Sequence, residues 1–212
     1  MRRKLSIILS AALLALASPV ASRAYEMQDG RAVIVVGEGT EVPVLDPHVK
    51  YDTPSRMMQG ALYDALARYE GNPAVAEPWL AESWETNEDS SVWTFHLVDN
   101  AKFSDGSPVD AEAVAFSYRR ALTLNKGVAW MFSGILEPEG IEVVDASTIR
   151  FNLTQPYPAF ISFVPMWYIV NPAEVMANEV DGDMGQAWLT EHAAGSGPFR
   201  IKRWDPRVLM EV

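Results

Sequence analysis

The sequence predicts an α+β fold whose elements run strand, helix, strands, helix, hairpin, helix, hairpin. Three observations carry that prediction. The β-branched run Ala32-Val33-Ile34-Val35-Val36-Gly37 reads as a strand covered on both faces, as in a central sheet. Two stretches repeat apolar residues at helical spacing behind cap-forming residues, one after Thr53-Pro54 and one after Asp110. Between them the stretch from Val92 to Leu97 alternates, with Trp93, Phe95 and Leu97 pointing one way and Val92, Thr94 and His96 the other.

The first 24 residues stand apart from that fold. Arg2, Arg3 and Lys4 precede an apolar run from Leu5 to Ala17, broken only by Ser6 and Ser10, and Ser22-Arg23-Ala24 offers small residues at the two positions a signal peptidase reads. This is the layout of a secretory signal peptide cut after Ala24. A membrane anchor is the competing reading, but the run is shorter than the ~20 apolar residues that cross a bilayer.

Gly37-Glu38-Gly39-Thr40 resembles the start of a dinucleotide fingerprint, yet Val42 stands where the third glycine belongs and no helix pattern opens there. Leu45-Asp46-Pro47 then leads into the first helix, with Thr53 as N-cap and Pro54 at the first helical position. Met57, Met58, Ala61, Leu62, Ala65 and Leu66 recur at helical spacing, and Gly71 closes the helix. Core packing is preferred over a ligand role for the two methionines. After Trp84 and the alternating strand, residues 100–108 are rich in turn formers: Asn100, Asp105-Gly106 and Ser107-Pro108. Asp110 caps a helix running to about Leu122, with Val114, Tyr118, Ala121 and Leu122 inward. Ile141 to Val144 and Thr148 to Leu153 form a hairpin across Asp145-Ala146-Ser147. Asn171-Pro172 starts a third helix by the logic of Thr53-Pro54. Gly195-Ser196-Gly197-Pro198 opens a strand from Phe199 to Trp204, and Asp205-Pro206 turns it into a partner from Val208 to Val212. That last strand carries unpaired backbone groups and an apolar face, which predicts further chain to cover them.

Charge and composition exclude several classes. Of 17 basic residues the signal removes Arg2, Arg3, Lys4 and Arg23, leaving 13 against 28 acidic ones and a net charge of −15. Such a surface repels nucleic acid and anionic membranes. With no cysteine, disulfides, thiol catalysis and cysteine-ligated zinc are ruled out, as is lipid attachment at an N-terminal cysteine. A free, exported product fits a Gram-negative periplasm. The remaining 188 of 212 residues are enough for a core, and seven Trp argue against disorder.

Two stretches are more specific than any short motif: Ala76-Glu77-Pro78-Trp79-Leu80-Ala81-Glu82-Ser83-Trp84 followed by Val92-Trp93-Thr94-Phe95-His96-Leu97, and Ala101-Lys102-Phe103-Ser104-Asp105-Gly106-Ser107-Pro108-Val109-Asp110-Ala111. In this order they resemble the signature of the family 5 extracellular solute-binding proteins of ABC transporters, which take oligopeptides, dipeptides and nickel. Leu45-Asp46-Pro47-His48 resembles the family's opening segment, and Gly195-Ser196-Gly197-Pro198-Phe199 its return strand. The motifs themselves are structural: buried aromatics, turn formers and a helix cap.

The resemblance implies part of a class II periplasmic binding protein fold. Residues 25–45 would begin the first lobe, 46–194 would be its inserted mixed-sheet subdomain and 195–212 its return, with the second lobe missing. It implies a monomer without cofactor that traps a peptide or other small solute (sugar, opine, nickel chelate or haem) and delivers it to ABC permease subunits. It implies ligand contacts at Tyr51, Asp52 and Thr53, whose competing role is a helix cap and its lead-in, and at Trp130 and Phe132, whose competing role is core packing. The acidic residue that peptide binders use for the ligand's amino group belongs to the second lobe. Against an enzyme, His48, His96 and His192 have no H-x-x-x-H spacing and no G-x-S-x-G elbow occurs. A structural or interaction fragment, or a product that never folds, is the remaining alternative.

Overall fold

The computed structural model describes residues 42–205 and 208–212 in full and the backbone of 26–28 and 31–33. The expected signal peptide and residues 34–37 of the expected central strand lie outside the described residues. The start of that strand is β2 (Arg31–Val33), which pairs antiparallel with β1 (Glu26–Gln28) in a unit of its own, Met1–Glu38.

The second unit, Gly39–Val212, holds the rest. In chain order come α1 (Thr53–Leu62), β3 (Ala67–Glu70), β4 (Val75–Pro78), β5 (Ala81–Thr86), β6 (Val92–Leu97) and α2 (Ala111–Leu124). A 3-10 turn at Gly127–Phe132 leads to β7 (Ile141–Asp145) and β8 (Thr148–Asn152). Then follow α3 (Phe160–Phe163), α4 (Pro172–Ala177), α5 (Gln186–Leu189), β9 (Arg203–Asp205) and β10 (Leu209–Glu211).

The central sheet is antiparallel, in the order β5-β6-β8-β7, so two hairpins pair through their second strands. Its two faces differ as the period of two demands. Inward, Trp93, Phe95 and Leu97 of β6 lie beside Ile149 and Phe151 of β8 and Ile141 of β7, all buried. Outward, a polar row runs Glu85, Thr94, Arg150, Glu142, closed by an Arg150–Glu142 ion pair at 3.1 Å. Helix α2 covers the inner face with Val114, Tyr118 and Ala121, and Asp110 caps it as expected, accepting the Ala113 amide at 2.9 Å. The core there is aromatic: Tyr118 meets Phe151 and Trp167 at centroid distances of 4.6 and 4.5 Å, and Phe132 meets Trp167 at 4.7 Å.

A second apolar cluster gathers Leu45, Leu62, Tyr63, Val170, Val175, Leu189 and Ala194, with Val42, Ile201, Trp204 and Met210 packed against it. Residues from both ends of this unit thus share one core. Segment 195–199 reaches it by lying on the end of α1, where the Gly197 and Phe199 amides donate to the Leu62 and Ala61 carbonyls at 3.1 Å each. The approach requires glycine, because a Cβ at Gly195 would sit 2.1 Å from the Leu62 carbonyl oxygen.

Three sequence expectations need correction. Helix α1 is capped by Asp52, whose carboxylate accepts the Ser55 amide at 3.2 Å; Thr53 is already helical. The helix stops at Leu62 instead of continuing to Gly71. Ala65 bridges to Tyr168, and the Asp64 carbonyl accepts the Ile169 amide at 2.8 Å, so pairing with a distant segment overrides the helical period and the chain continues as β3. The last hairpin begins at Arg203, not Phe199, because the Gly197 and Phe199 amides are already bound to the end of α1. The hairpin at 141–152 and the helix capped by Asn171 stand as expected.

Candidate functional site

The chain from Leu45 to Thr53 packs its first half into the interior and presents its second half to solvent. Leu45, Asp46 and His48 are fully buried, and Tyr51, Asp52 and Thr53 are exposed. The anchor is ionic. Arg120, projecting from α2, donates from Nη1 and Nη2 to the two carboxylate oxygens of Asp46 at 3.0 and 2.7 Å, and neither side chain has any solvent exposure. Its Nε donates to the Met184 carbonyl at 2.8 Å and Nη1 also reaches His48 Nδ1 at 2.9 Å. Gln59 of α1 donates to the Asp46 and Lys50 carbonyls at 3.3 and 3.0 Å. A buried ion pair tolerates its desolvation only with this density of hydrogen bonds.

The partners of His48 assign its tautomer. Guanidinium N–H groups only donate, so Nδ1 accepts, and the Nε2–H donates to the Tyr168 carbonyl at 2.9 Å. The ring is therefore neutral. Burial, reinforced by the adjacent Arg120 charge, lowers its pKa to about 4 against the opposing pull of Asp46. Unfolded chain takes up this proton first as pH falls, so stability is full above pH ~6.5 and is lost down to about pH 4, by about 3 kcal/mol. Urea unfolding across that range is expected to show the loss. In His48→Gln, which keeps an acceptor and a donor but cannot titrate, this increment should vanish; an unchanged acid loss would refute the assignment.

Tyr51 and Trp130 meet above this anchor although 79 positions separate them. Their ring centroids lie 6.5 Å apart with planes inclined at 49°, and they are 45% and 59% exposed. The meeting is set by backbone: Gly127, at the start of the turn that carries Trp130, lies so close to His48 that a Cβ would come within 2.7 Å of its carbonyl oxygen. Asp52 and Thr53 flank the pair at the start of α1, with Asp52 engaged as its cap through Ser55. Phe132 is elsewhere. It is wholly buried, 4.9 Å from Phe160 between ring centroids, so it supports the turn from beneath and offers no contact surface. Of the five residues singled out in the sequence, four share one exposed surface and one is core. The ion pair beneath them was not legible, since Asp46 and Arg120 are 74 residues apart.

A second polar feature joins Asp64, Trp79 and Ser196. Trp79 Nε1 and Ser196 Oγ donate to the two oxygens of Asp64 at 2.7 and 2.8 Å, and the Arg68 guanidinium lies 4.0 Å over the indole. The hollow beside them measures about 210 Å³, less than the ~300–1,000 Å³ of small-molecule pockets. With both carboxylate oxygens bonded, it ties the 195–197 segment to α1's end. Among the described residues no group of His, Asp and Glu is placed to hold a metal ion.

The family model described as bacterial extracellular solute-binding proteins, family 5 middle, matches residues 75–212. The chain belongs to this family. It is 36% identical over 213 residues to the probable D,D-dipeptide-binding periplasmic protein DdpA of Escherichia coli, covering 96% of this chain and 39% of that protein. It is 30% identical to the periplasmic oligopeptide-binding protein OppA of Salmonella typhimurium, covering 98% of this chain and 42% of that one. Among solved structures, MoaA of A. tumefaciens R10 in complex with mannopinic acid superposes with a TM-score of 0.67 at 30% identity, over 78% of this chain and 33% of its own. The chain thus spans about two fifths of the length of the curated relatives it matches. Family 5 members are solute-binding proteins, not enzymes, and the α+β fold described above corresponds to part of the fold of the solute-binding protein MoaA.

Proposed function

We propose that this chain serves as the periplasmic solute-binding component of an ABC transporter, with peptide as its solute and ABC permease subunits as its partners, and that its leader at residues 1–24 directs export. In this reading residues 25–45 and 195–212 belong to a first lobe, and 46–194 are a subdomain inserted in it. Val42 and Leu45 share an apolar cluster with Ile201 and Trp204, as that division expects, and Leu62, Tyr63, Val170, Val175, Leu189 and Ala194 of the inserted stretch join the same cluster.

One observation carries the functional reading. Two large aromatic rings, Tyr51 and Trp130, stay at the surface on a base fixed by a buried ion pair and a backbone contact. Burying each ring fully would stabilise a folded chain by about 2 kcal/mol, and the two lying together on a fixed base supports reading this as a surface for a partner. Flat aromatic faces beside the carboxylate of Asp52 suit the aliphatic and ring portions of an extended peptide.

These residues form one wall, and a cleft requires two. Isothermal titration of residues 25–212 by themselves against a peptide pool is expected to give no binding tighter than micromolar; sub-micromolar binding refutes the one-wall account. In a preparation that binds peptide, Trp130→Ala is expected to weaken affinity about tenfold or more with stability intact. Unchanged affinity there removes the aromatic pair from the contact surface.

A further inference from the structure

The dipeptide Asp-Gly occurs three times in the chain: Asp29-Gly30, outside the described residues, Asp105-Gly106 and Asp181-Gly182. It is the most reactive setting for one spontaneous backbone rearrangement. The amide nitrogen of the glycine, unhindered by a side chain, attacks the aspartyl carboxyl carbon. The amide proton and the hydroxyl of the protonated carboxyl leave together as water, and a five-membered succinimide forms. Water then opens the ring at either carbonyl, returning aspartate or leaving the main chain routed through the side-chain carbon as isoaspartate.

The two described sites have the same residues and are both exposed at turns, yet they differ in every hydrogen bond that bears on this reaction. At Asp105 the carboxylate is held from both oxygens: Oδ1 accepts from the Ser107 amide and hydroxyl at 2.8 and 2.5 Å, and Oδ2 from Asn171 Nδ2 at 2.8 Å. The attacking group is held as well, since the Gly106 amide donates to the Phe103 carbonyl at 2.9 Å. The bonds from Ser107 keep the Asp105 carboxyl below the ordinary carboxylate range, and an ionised carboxylate is a poor electrophile. At the second site Asp181 and Gly182 are the central residues of a tight turn, with φ values of 53° and 78°, closed by the Asp183 amide on the Val180 carbonyl at 3.0 Å. Among the described residues neither the Asp181 carboxylate nor the Gly182 amide makes a hydrogen bond.

We propose that Asp181 is a self-modification site, converting to isoaspartate in the folded chain while Asp105 is held unreactive. The added methylene enters a turn on which the interior depends. Asp183 accepts from the Val180, Gly185 and Ala187 amides at 3.0, 2.8 and 2.7 Å, and the neighbouring Met184 carbonyl receives Arg120 Nε. Isomerisation at 181 therefore lengthens the loop that closes over the Asp46–Arg120 pair.

The test is to age the folded chain at neutral pH and physiological temperature and to locate isoaspartate by peptide mapping with a protease that cleaves at aspartate but not at isoaspartate. Accumulation at 181 is expected to exceed that at 105 by about tenfold or more, the effect of freeing two hydrogen-bonded groups. In concentrated urea the two rates should converge, and Ser107→Ala should raise the rate at 105 in the folded chain. Equal accumulation in the folded chain, a difference that persists in urea, or an indifferent Ser107→Ala would each overturn the proposal.

Discussion

Replacing Arg120 by methionine is expected to remove about 3–5 kcal/mol of stability, the cost of leaving a buried carboxylate without its partner. Asp46 has no solvent exposure, and without the guanidinium its side chain keeps one described donor, the His48 amide at 2.9 Å. That loss is a large part of the ~5–15 kcal/mol that holds a domain together. Urea unfolding midpoints measure it. The pair as a unit is a different quantity. A chain carrying Asp46→Leu together with Arg120→Met buries no charge and is expected to recover much of the loss. A single Arg120→Met variant that loses less than about 1 kcal/mol would mean that water reaches Asp46, contrary to its burial.

The second large effect separates two neighbours on one turn. Phe132→Ala is expected to cost about 3–5 kcal/mol, because it empties a fully packed aromatic site. The ring touches Trp167, Phe160 and Phe163, with centroid distances of 4.7, 4.9 and 6.2 Å, and has no exposure through which the site could relax toward solvent. Trp130→Ala, two residues away, is expected to stay within about 0.5 kcal/mol of the parent, as for a surface position. Thermal unfolding of the two variants side by side checks both; similar losses would place Trp130 in the core.

That contrast shows what the sequence could and could not reveal. Asp110, Asn171-Pro172 and the 141–152 hairpin were legible because each rests on groups a few residues apart. The fate of Ala65 and Leu66 was not, because a strand partner at Tyr168 decides it and helical spacing is blind to partners 103 positions away. Thr53 and Asp52 are equally good caps by composition, and only the carboxylate's reach to Ser55 distinguishes them. Chemistry alone favours core packing for Trp130 and Phe132 alike, and only Phe132 takes it. Tyr51 was singled out through the family's opening segment, whereas the buried ion pair between Asp46 and Arg120 had no signal beyond an isolated Asp-Pro and a distant Arg-Arg.

The seat of Gly127 on the His48 carbonyl has a consequence for how this surface can change over generations. The gap between the two exposed rings is dictated by main chain touching main chain, so it does not depend on which side chains fill positions 51 and 130. Either ring can be exchanged for a longer, shorter or charged group while the platform stays put, so under the proposed function preference for a different solute is acquired one residue at a time. Position 127 has no such latitude, since any side chain there would prise the turn away from its footing.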